Sequence, residues 1–265
     1  MSANKGQLVV VGTGLRTVGQ MTTESIAWIR AADRVLYVVG DPVAERAIHD
    51  LNDTAESLQV LYGEGQDRLA TYEAMVERVL ACVRAGERVC AVFYGHPGVF
   101  VYPSHESIKR ARAEGYSAVM LPGVSAEDCL FADICIDPAA TGCLSYEATD
   151  FLFNNRAMDP ASALVLWQIG ILGNGHYRSE GRYPTPLMPF LIEKLGTRYP
   201  LGHQAIVYEA AVHFGCKPRL TPVALGYLHH IDLSAASTLF IGPAEASIPD
   251  SALIQRLQAL GVQYG

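Results

Sequence analysis

The most constraining feature of the sequence is the segment RVCAVFYG (residues 88–95), which is apolar almost throughout. A strand of this kind belongs at the middle of a parallel sheet, because helices cover both faces of such a sheet. Around it, short apolar runs alternate with segments of helical periodicity, which is typical of βαβ winding. We predict strands at 7–12, 34–39, 57–63, 88–95 and 117–123, and helices at 22–32, 42–51, 72–84 and 104–115.

The second half of the chain has a different pattern. We predict helices at 125–134 and 186–199, and strands at 143–148, 163–169, 203–210 and 237–242. A length of 265 residues fits two α/β units, so we predict an N-terminal domain of residues 1–121 and a C-terminal domain of residues 122–265. The polar, Gly-rich segment 170–186 is long for a connection, which is typical of a functional or mobile loop.

Charge and composition exclude several classes of protein. The formal charge is −7 and the 20 basic residues are scattered, which argues against nucleic acid as a partner. No apolar stretch approaches ~20 residues and no secretory signal is present, so we expect a cytoplasmic protein without a membrane anchor. The six cysteines form no CxxC pair, which favours packed, reduced thiols over a metal site.

Glycine-rich motifs follow two of the predicted strands. The buried strand at 88–95 runs into YGHPGVF (94–100), where two glycines and a proline predict a sharp turn at the sheet's carboxyl edge. VVVGTGL (9–15) is a second such turn, although it lacks the full dinucleotide-binding pattern because Thr17 stands where a glycine is needed. In PGVSA (122–126), Ser125 is expected to cap a helix that faces the same crevice.

These motifs, in the order VGTG, YGHPGVF, PGVSA, LWQI, VYEA and STL, resemble the tetrapyrrole-methylase-like superfamily of S-adenosylmethionine-dependent methyltransferases. The resemblance implies the two-domain α/β fold of class III methyltransferases, S-adenosylmethionine folded into the interdomain cleft, no metal, and a homodimer. The residues that it assigns to the cofactor are Tyr94, His96, Val99, Phe100, Ser125, Ala126, Gln168, Tyr208, Ala210 and Thr238.

A second set of residues is similar to one branch of this superfamily. The first loop reads GTGLRTVGQ (12–20) and has no acidic residue of the GxGPGD type, which argues against a tetrapyrrole substrate. Tyr62, Arg68 and Tyr72, together with SYEATDFLF (145–153), resemble the borosin-type peptide backbone N-methyltransferases. The resemblance makes these three residues the candidate catalytic groups.

Methylation of a peptide amide requires help from the protein. The nitrogen lone pair is delocalised into the carbonyl, so the nitrogen has to lose its proton and the imidate oxygen has to be stabilised. A tyrosine whose pKa is lowered by a nearby guanidinium would accept that proton, directly or through water. Arg68 is too basic to act as the base, but one good donor to the oxygen is worth ~3 kcal/mol.

Two alternatives remain open at this stage. One is a methyltransferase of the same fold that acts on a porphyrinoid or another small molecule, and the other is a catalytically silent scaffold that binds the cofactor or a peptide. For the peptide reading, we expect a separate precursor peptide as the substrate. The reason is that Leu253, Ile254, Leu257, Leu260 and Val262 predict a short C-terminal helix packed on the domain, which leaves no extended tail to serve as substrate.

The family resemblance generates a prediction about assembly. We expect a homodimer whose interface falls in the obligate size class, above ~2,000 Å². Light scattering at micromolar concentration should therefore give twice the chain mass of 28.7 kDa. A monomer mass alone would contradict the expectation.

Overall fold

A five-stranded parallel sheet occupies the first half of the chain in the computed structural model, which describes residues 6–262 apart from the side chain of Thr17. Its strands are β1 (Gln7–Gly12), β2 (Arg34–Val38), β3 (Ala55–Ser57), β4 (Arg88–Phe93) and β5 (Ser117–Met120). They lie in the order β3-β2-β4-β1-β5, so the strand at 88–95 is central, as predicted. Its residues from Val89 to Phe93 are buried because helices cover both faces of the sheet.

Five helices accompany this sheet within the described residues. They are α1 (Thr17–Gln20), α2 (Thr23–Ala31), α3 (Pro42–His49), α4 (Arg68–Arg84) and α5 (Tyr102–Ala113). Local capping explains two of the starts: the Thr22 side chain accepts a hydrogen bond from the backbone of Ser25, and Asp41 caps α3 with Pro42 in the first turn. Helix α4 begins one turn earlier than predicted because Asp67 caps it, which places Arg68 in its first turn.

The predicted strand at 57–63 is wrong. Strand β3 ends at Ser57, whose side chain accepts a hydrogen bond from the backbone nitrogen of Gln59 at 3.3 Å and so starts a 3₁₀ turn at Leu58–Leu61. This turn buries Leu58 in the core between β2, β4 and α4. Tyr62 then follows in an extended conformation rather than inside a strand.

The second half forms a mixed sheet. Its strands are β6 (Cys143–Glu147), β7 (Ala163–Trp167), β8 (Gln204–Glu209), β9 (Arg219–Ala224) and β10 (Thr238–Ile241). Their order is β6-β7-β10-β8-β9, with only β6 and β7 parallel to each other. Strand β9 was not predicted, because Pro222 interrupts its pattern; the edge position tolerates a residue that lacks a backbone donor.

Four helices belong to this half of the described chain: α6 (Ala126–Ile134), α7 (Ala148–Phe153), α8 (Met188–Gly196) and α9 (Ser251–Ala259). The predicted cap at Ser125 is confirmed, since its hydroxyl accepts a hydrogen bond from the backbone of Asp128 and the Asp128 carboxylate accepts one from the backbone of Ser125. Helix α7 was not predicted and follows β6 directly. None of the helices in residues 6–262 is long and apolar enough to cross a membrane.

Helix α9 corrects one expectation. The sequence predicts a C-terminal helix that packs on the domain, and the helix is present, but none of its residues is buried. The side chains of Leu253 and Leu260 are 44% and 78% exposed. Its apolar stripe is only partly covered within the described part of the chain, where Ile254 and Leu257 are half-buried, so this helix does not support the inference of a separate substrate.

The two sheets are joined by a buried apolar cluster. Trp167 of β7, Tyr208 of β8 and Leu130 of α6 pack together, and Leu15 from the turn after β1 lies against them. We use the name seam cluster for this core, whose buried residues are Cys129, Leu130, Ala163, Val165, Trp167, Tyr208 and Phe240. Leu15 is the residue packed against this cluster that comes from the first half, and the domain boundary near residue 121 stays a prediction.

A close backbone approach at the end of β1 generates a prediction about stability. A Cβ atom on Gly12 would lie 2.2 Å from the carbonyl oxygen of Gly95 and 2.8 Å from Cδ of Pro97. The Gly12→Ala substitution should therefore lower the free energy of unfolding by about 1–3 kcal/mol, as overpacking does. Urea denaturation measures this change.

The control is Gly19→Ala in α1, where a Cβ atom would meet nothing within 4 Å. Alanine favours helix over glycine by about 0.5–1 kcal/mol, so this variant should be as stable as the parent or slightly more stable. Equal stability of the two variants would show that the turn after β1 can move apart to admit a side chain.

Candidate active site

Two glycine turns meet at the carboxyl edge of the first sheet. The backbone nitrogen of Gly14 donates to the carbonyl oxygen of Gly95 at 3.2 Å, and the nitrogen of Gly95 donates to the oxygen of Gly14 at 2.9 Å. Both residues have φ of +69°, a conformation that strongly favours glycine. The motifs VGTG and YGHPGVF, which the sequence analysis singled out separately, therefore form one structure.

The YGHPGVF turn is tightly packed around Gly98. The backbone nitrogen of Gly98 donates to Nδ1 of His96 at 2.9 Å, and the carbonyl oxygen of Gly98 accepts a hydrogen bond from Nε2 of His105 at 2.9 Å. A Cβ atom on Gly98 would approach Sδ of Met120 to 2.7 Å and the His96 ring to 3.3 Å. The turn thus holds its backbone against the sheet edge and leaves no space for a side chain.

A cavity of about 440 Å³ lies between this turn and the second half of the chain. Phe100 and Gln168 both line it and have φ of +56° and +60°, which is unusual for residues other than glycine. The Phe100 ring contacts the Trp167 ring at a centroid distance of 6.1 Å. The lining residues are Arg68, Tyr72, Phe100, Val101, Tyr102, His105, Glu147, Thr149, Gln168, Ile171 and Asn174.

The predicted cofactor residues lie in three places: the lining of this cavity, the turn that leads to it, and the second half of the chain around the seam cluster. Phe100 and Gln168 line the cavity, while Tyr94, His96 and Val99 belong to the turn that leads to it. Tyr208 and Thr238 are paired across neighbouring strands, and Ala126 and Ala210 pack on the seam cluster. The residues outside the cavity lining are Tyr94, His96, Val99, Ser125, Ala126, Tyr208, Ala210 and Thr238.

Two of these polar groups already have partners inside the protein. The Tyr208 hydroxyl donates to the Asp133 carboxylate at 2.8 Å, and the Ser125 hydroxyl donates to the Asp128 carboxylate at 2.7 Å. Burial and the bond to Asp133 raise the pKa of Tyr208, so its hydroxyl stays neutral. The bond from Tyr208 fixes α6 against the second sheet, the bond from Ser125 belongs to the cap of α6 itself, and a contribution of either residue to a cofactor site stays a prediction.

The three candidate catalytic residues come together at one wall of the cavity. Tyr62 and Tyr72 meet edge to face with ring centroids 6.4 Å apart, and Tyr72 stacks on Tyr102 at 6.2 Å. Arg68 lies one turn before Tyr72 on α4, so both side chains point to the same side of the helix. Arg68 and Tyr72 line the cavity, and Tyr62 lies behind Tyr72.

The electrostatics of this wall differ from the expectation. Burial of the Tyr62 hydroxyl raises its pKa, and the neighbouring Tyr72 and Tyr94 raise it further, while Arg68 opposes these effects only weakly. The expected lowering of a tyrosine pKa by the guanidinium is therefore wrong for Tyr62. The pKa of Tyr94 is also raised by burial of its hydroxyl, although 53% of the residue's surface is exposed.

The loop between β7 and α8, residues 172–187, crosses to this wall, and we call it the strap. Its backbone pairs with residues 63–68 in a short antiparallel ladder. The backbone nitrogen of Tyr177 donates to the carbonyl oxygen of Gln66 at 2.9 Å, and the carbonyl oxygen of Tyr177 accepts from the nitrogen of Gly65 at 3.0 Å. The backbone nitrogen of Arg68 donates to the carbonyl oxygen of Gly175 at 2.9 Å. The Tyr177 ring lies on the Tyr62 ring at 4.6 Å.

Sequence reasoning missed Tyr183 of the strap. Its hydroxyl accepts a hydrogen bond from Nη2 of Arg68 at 2.7 Å. The segment was recognised as a long, polar connection, but no local pattern indicates which of its residues meets Arg68. Within residues 6–262, no group of three or more His, Cys, Asp or Glu side chains could hold a metal ion.

Similar sequences include two fungal proteins. A methyltransferase/ribosomally synthesized cyclic peptide dendrothelin A precursor from Dendrothele bispora is 41% identical over 259 residues, 96% of this chain and 62% of that protein. The omphalotin A counterpart from Omphalotus olearius is 40% identical over 96% of this chain and 62% of its own length. The chain thus spans about three fifths of these relatives.

A third relative is covered more fully. The type I borosin cyclic peptide precursor with a methyltransferase from Coprinopsis marcescibilis is 41% identical over 97% of this chain and 67% of that protein. These matches extend over nearly the whole chain, including the segments that hold Tyr62, Arg68 and Tyr72.

Solved structures confirm the predicted fold. Uroporphyrin-III-C-methyltransferase from Thermus thermophilus superposes with a TM-score of 0.63 at 18% identity, covering 90% of this chain and 93% of that one. Cobalt precorrin-4 methyltransferase gives a TM-score of 0.61 at 14% identity, over 89% and 94% of the two chains. The family model for tetrapyrrole (corrin/porphyrin) methylases matches residues 7–211. The chain therefore belongs to the tetrapyrrole (corrin/porphyrin) methylase family, in which its curated relatives include borosin methyltransferases.

Proposed function

We propose that this protein transfers methyl groups from S-adenosylmethionine to backbone amide nitrogens of a peptide. The observation that supports the proposal most directly is the wall formed by Tyr62, Arg68 and Tyr72 beside the interdomain cavity. The names of the relatives describe a methyltransferase together with a cyclic peptide precursor, which agrees with a peptide substrate.

The cavity suits a cationic, nucleoside-containing cofactor. Its volume of about 440 Å³ lies in the range of ~300–1,000 Å³ that is common for small-molecule sites. Phe100, Tyr72 and Tyr102 supply aromatic surface, which attracts a sulfonium as it attracts other cations, and the Glu147 carboxylate lies on the same lining. The cofactor, when bound, supplies an electrophilic methyl group and leaves as a neutral thioether.

Arg68 and the tyrosines are assigned different roles. The Arg68 guanidinium would donate a hydrogen bond to the amide oxygen as the nitrogen loses its proton and negative charge develops on that oxygen. Tyr72 lines the cavity and its ring meets Tyr62 edge to face, so its hydroxyl is placed to receive the amide proton while it gives its own proton to water. Tyr62 stays protonated because burial raises its pKa, so it is not the group that accepts the amide proton.

We also propose that the protein acts as a homodimer. Val18, Val43, Val212 and Phe214 line one surface depression of about 280 Å³, and the Phe214 residue is 96% exposed. An apolar patch of this kind is typical of a protein interface. The light-scattering measurement described above tests the assembly.

The cofactor site generates the first experiment. We expect calorimetry to detect binding of S-adenosylhomocysteine in the presence of a metal chelator. Gly98→Val should abolish this binding, because the added side chain collides with Met120 and His96 at the turn. The matched control is Gly202→Val, since a Cβ atom there would meet nothing within 4 Å. Absence of binding heat for the parent protein would reject the cofactor assignment.

The substrate class is tested by mass spectrometry. The enzyme is incubated with S-adenosylmethionine and a synthetic peptide, and with porphyrinoids in a parallel reaction. We expect mass gains in multiples of one methyl group on the peptide, with fragmentation placing them on backbone nitrogens. Methylation of the porphyrinoid alone would support the small-molecule alternative, and methylation of nothing would support the silent scaffold.

The same measurement addresses the source of the peptide. The prediction of a separate precursor requires methyl groups on the added peptide and an unchanged mass of the enzyme. Methyl groups on the enzyme's own chain would contradict it.

Variants test the assigned roles within that assay. Arg68→Ala and Tyr72→Phe should each lower the single-turnover rate by ~10² while affinity for S-adenosylhomocysteine stays nearly the same, since both groups act mainly in the transition state. Matched controls are Arg46→Ala, which removes an exposed ion pair with Asp50, and Tyr227→Phe on an exposed turn. A variant that keeps the parent rate loses its assigned role.

A further inference from the structure

The Tyr183 hydroxyl is a junction between the two halves of the chain. It accepts hydrogen bonds from Nη2 of Arg68 at 2.7 Å and from the backbone nitrogen of Arg178 at 2.9 Å. It donates to the carbonyl oxygen of Arg178 at 3.3 Å. A phenolic hydroxyl offers one donor and two acceptor positions, so all of its hydrogen-bonding capacity is used.

The strap holds the Tyr183 ring in place. Residues 178–181 form a turn in which the nitrogen of Gly181 donates to the oxygen of Arg178 at 3.1 Å. The carbonyl oxygen of Gly181 accepts from Ala235, and Arg182 forms an ion pair with Asp232 at 3.1 Å. These contacts attach the turn to the second half of the chain, and the hydroxyl reaches Arg68 from that side.

The partner of Arg68 is neutral, which matters for its chemistry. Within the described residues, no carboxylate lies within 4.0 Å of the Arg68 guanidinium, and Tyr183 is the side chain that binds it. A carboxylate in this position would neutralise the guanidinium and weaken its interaction with a developing oxyanion. A hydroxyl fixes the direction of one nitrogen and leaves the positive charge available to the substrate.

We propose that Tyr183 is a positioning residue for Arg68. It holds the guanidinium toward the cavity only when the strap lies on residues 63–68. The first half of the chain therefore supplies Arg68, and the second half supplies the hydroxyl that orients it. This inference rests on the proposed function, because it assumes that Arg68 stabilises the amide oxygen during methyl transfer.

The first test is the Tyr183→Phe variant of the full chain. It keeps the ring and removes the hydroxyl, so we expect the maximal turnover rate with peptide to fall about tenfold through loss of orientation. The KM for the peptide and the affinity for S-adenosylhomocysteine should change less than twofold. Tyr227→Phe is the matched control. A turnover rate within twofold of the parent value overturns the proposal.

A double-mutant cycle separates positioning from a structural effect. Because Tyr183 acts through Arg68, adding Tyr183→Phe to Arg68→Ala should leave the already slow single-turnover rate unchanged within about twofold. If Tyr183→Phe lowers the rate by the same factor in both backgrounds, the hydroxyl acts independently of Arg68 and the proposal is wrong.

A crystal structure of Tyr183→Phe gives a readout that needs no activity. We expect the Arg68 guanidinium, then held only by the ring face 5.1 Å from its Cζ, to turn away from its place at the cavity wall while the ladder between Gly65 and Tyr177 remains. An unmoved guanidinium would overturn the positioning role even if peptide methylation is confirmed. Conversely, a displaced guanidinium in a protein that methylates no peptide would uphold the contact and reject the proposed function.

Discussion

The site depends on the close approach of two backbone turns at the carboxyl edge of a parallel sheet. Strands β1 and β4 are neighbours, and the turns that follow them are hydrogen-bonded to each other through Gly14 and Gly95. Both glycines have a positive φ that disfavours any other residue, so the two turns can approach each other closely enough for their main chains to bond. The His96–Gly98 turn and the start of α5 are then fixed in position, and the cavity forms where they face the second half.

The tyrosine-rich wall combines neutral hydroxyls with the Arg68 guanidinium, which forms no ion pair with any carboxylate of residues 6–262. Burial keeps the Tyr62 and Tyr94 hydroxyls protonated, because a phenolate is poorly solvated there. Arg68 is bound by the Tyr183 hydroxyl rather than by a carboxylate, so its positive charge is not neutralised by a direct ion pair. Under the proposed function, this arrangement would stabilise a transient oxyanion more than the neutral group that precedes it, and such a difference lowers the activation barrier.

Much of the fold could be predicted because its signals are local. The apolar run of β4, the caps at Thr22 and Asp41, and Ser125 before α6 each depend on residues close in sequence. The errors have physical reasons: Ser57 ends β3 by capping a 3₁₀ turn, and an edge position admits Pro222 into β9.

The candidate site, like the fold, could be predicted from the sequence only where its signals are local. Tyr62, Arg68 and Tyr72 were recognisable by their spacing and by family resemblance, and the structure places them together. Tyr183 was not, because its contact with Arg68 depends on a pairing between segments more than 100 residues apart, with the two side chains separated by 115 positions. The local sequence pattern of a polar loop does not indicate such a pairing. The raised pKa of Tyr62 was also missed, because it depends on burial that only the assembled halves provide.

The ladder between the strap and residues 65–68 is made of main-chain hydrogen bonds, which do not depend on which side chains the residues carry. His176 and Arg178 are exposed beside it and border a depression of about 480 Å³ on its outer side. Their side chains can be exchanged while the backbone pairing with residues 65–68 persists. The strap is therefore a place where recombination or directed evolution can reshape the rim of the cleft while the main-chain hydrogen bonds between the two halves persist.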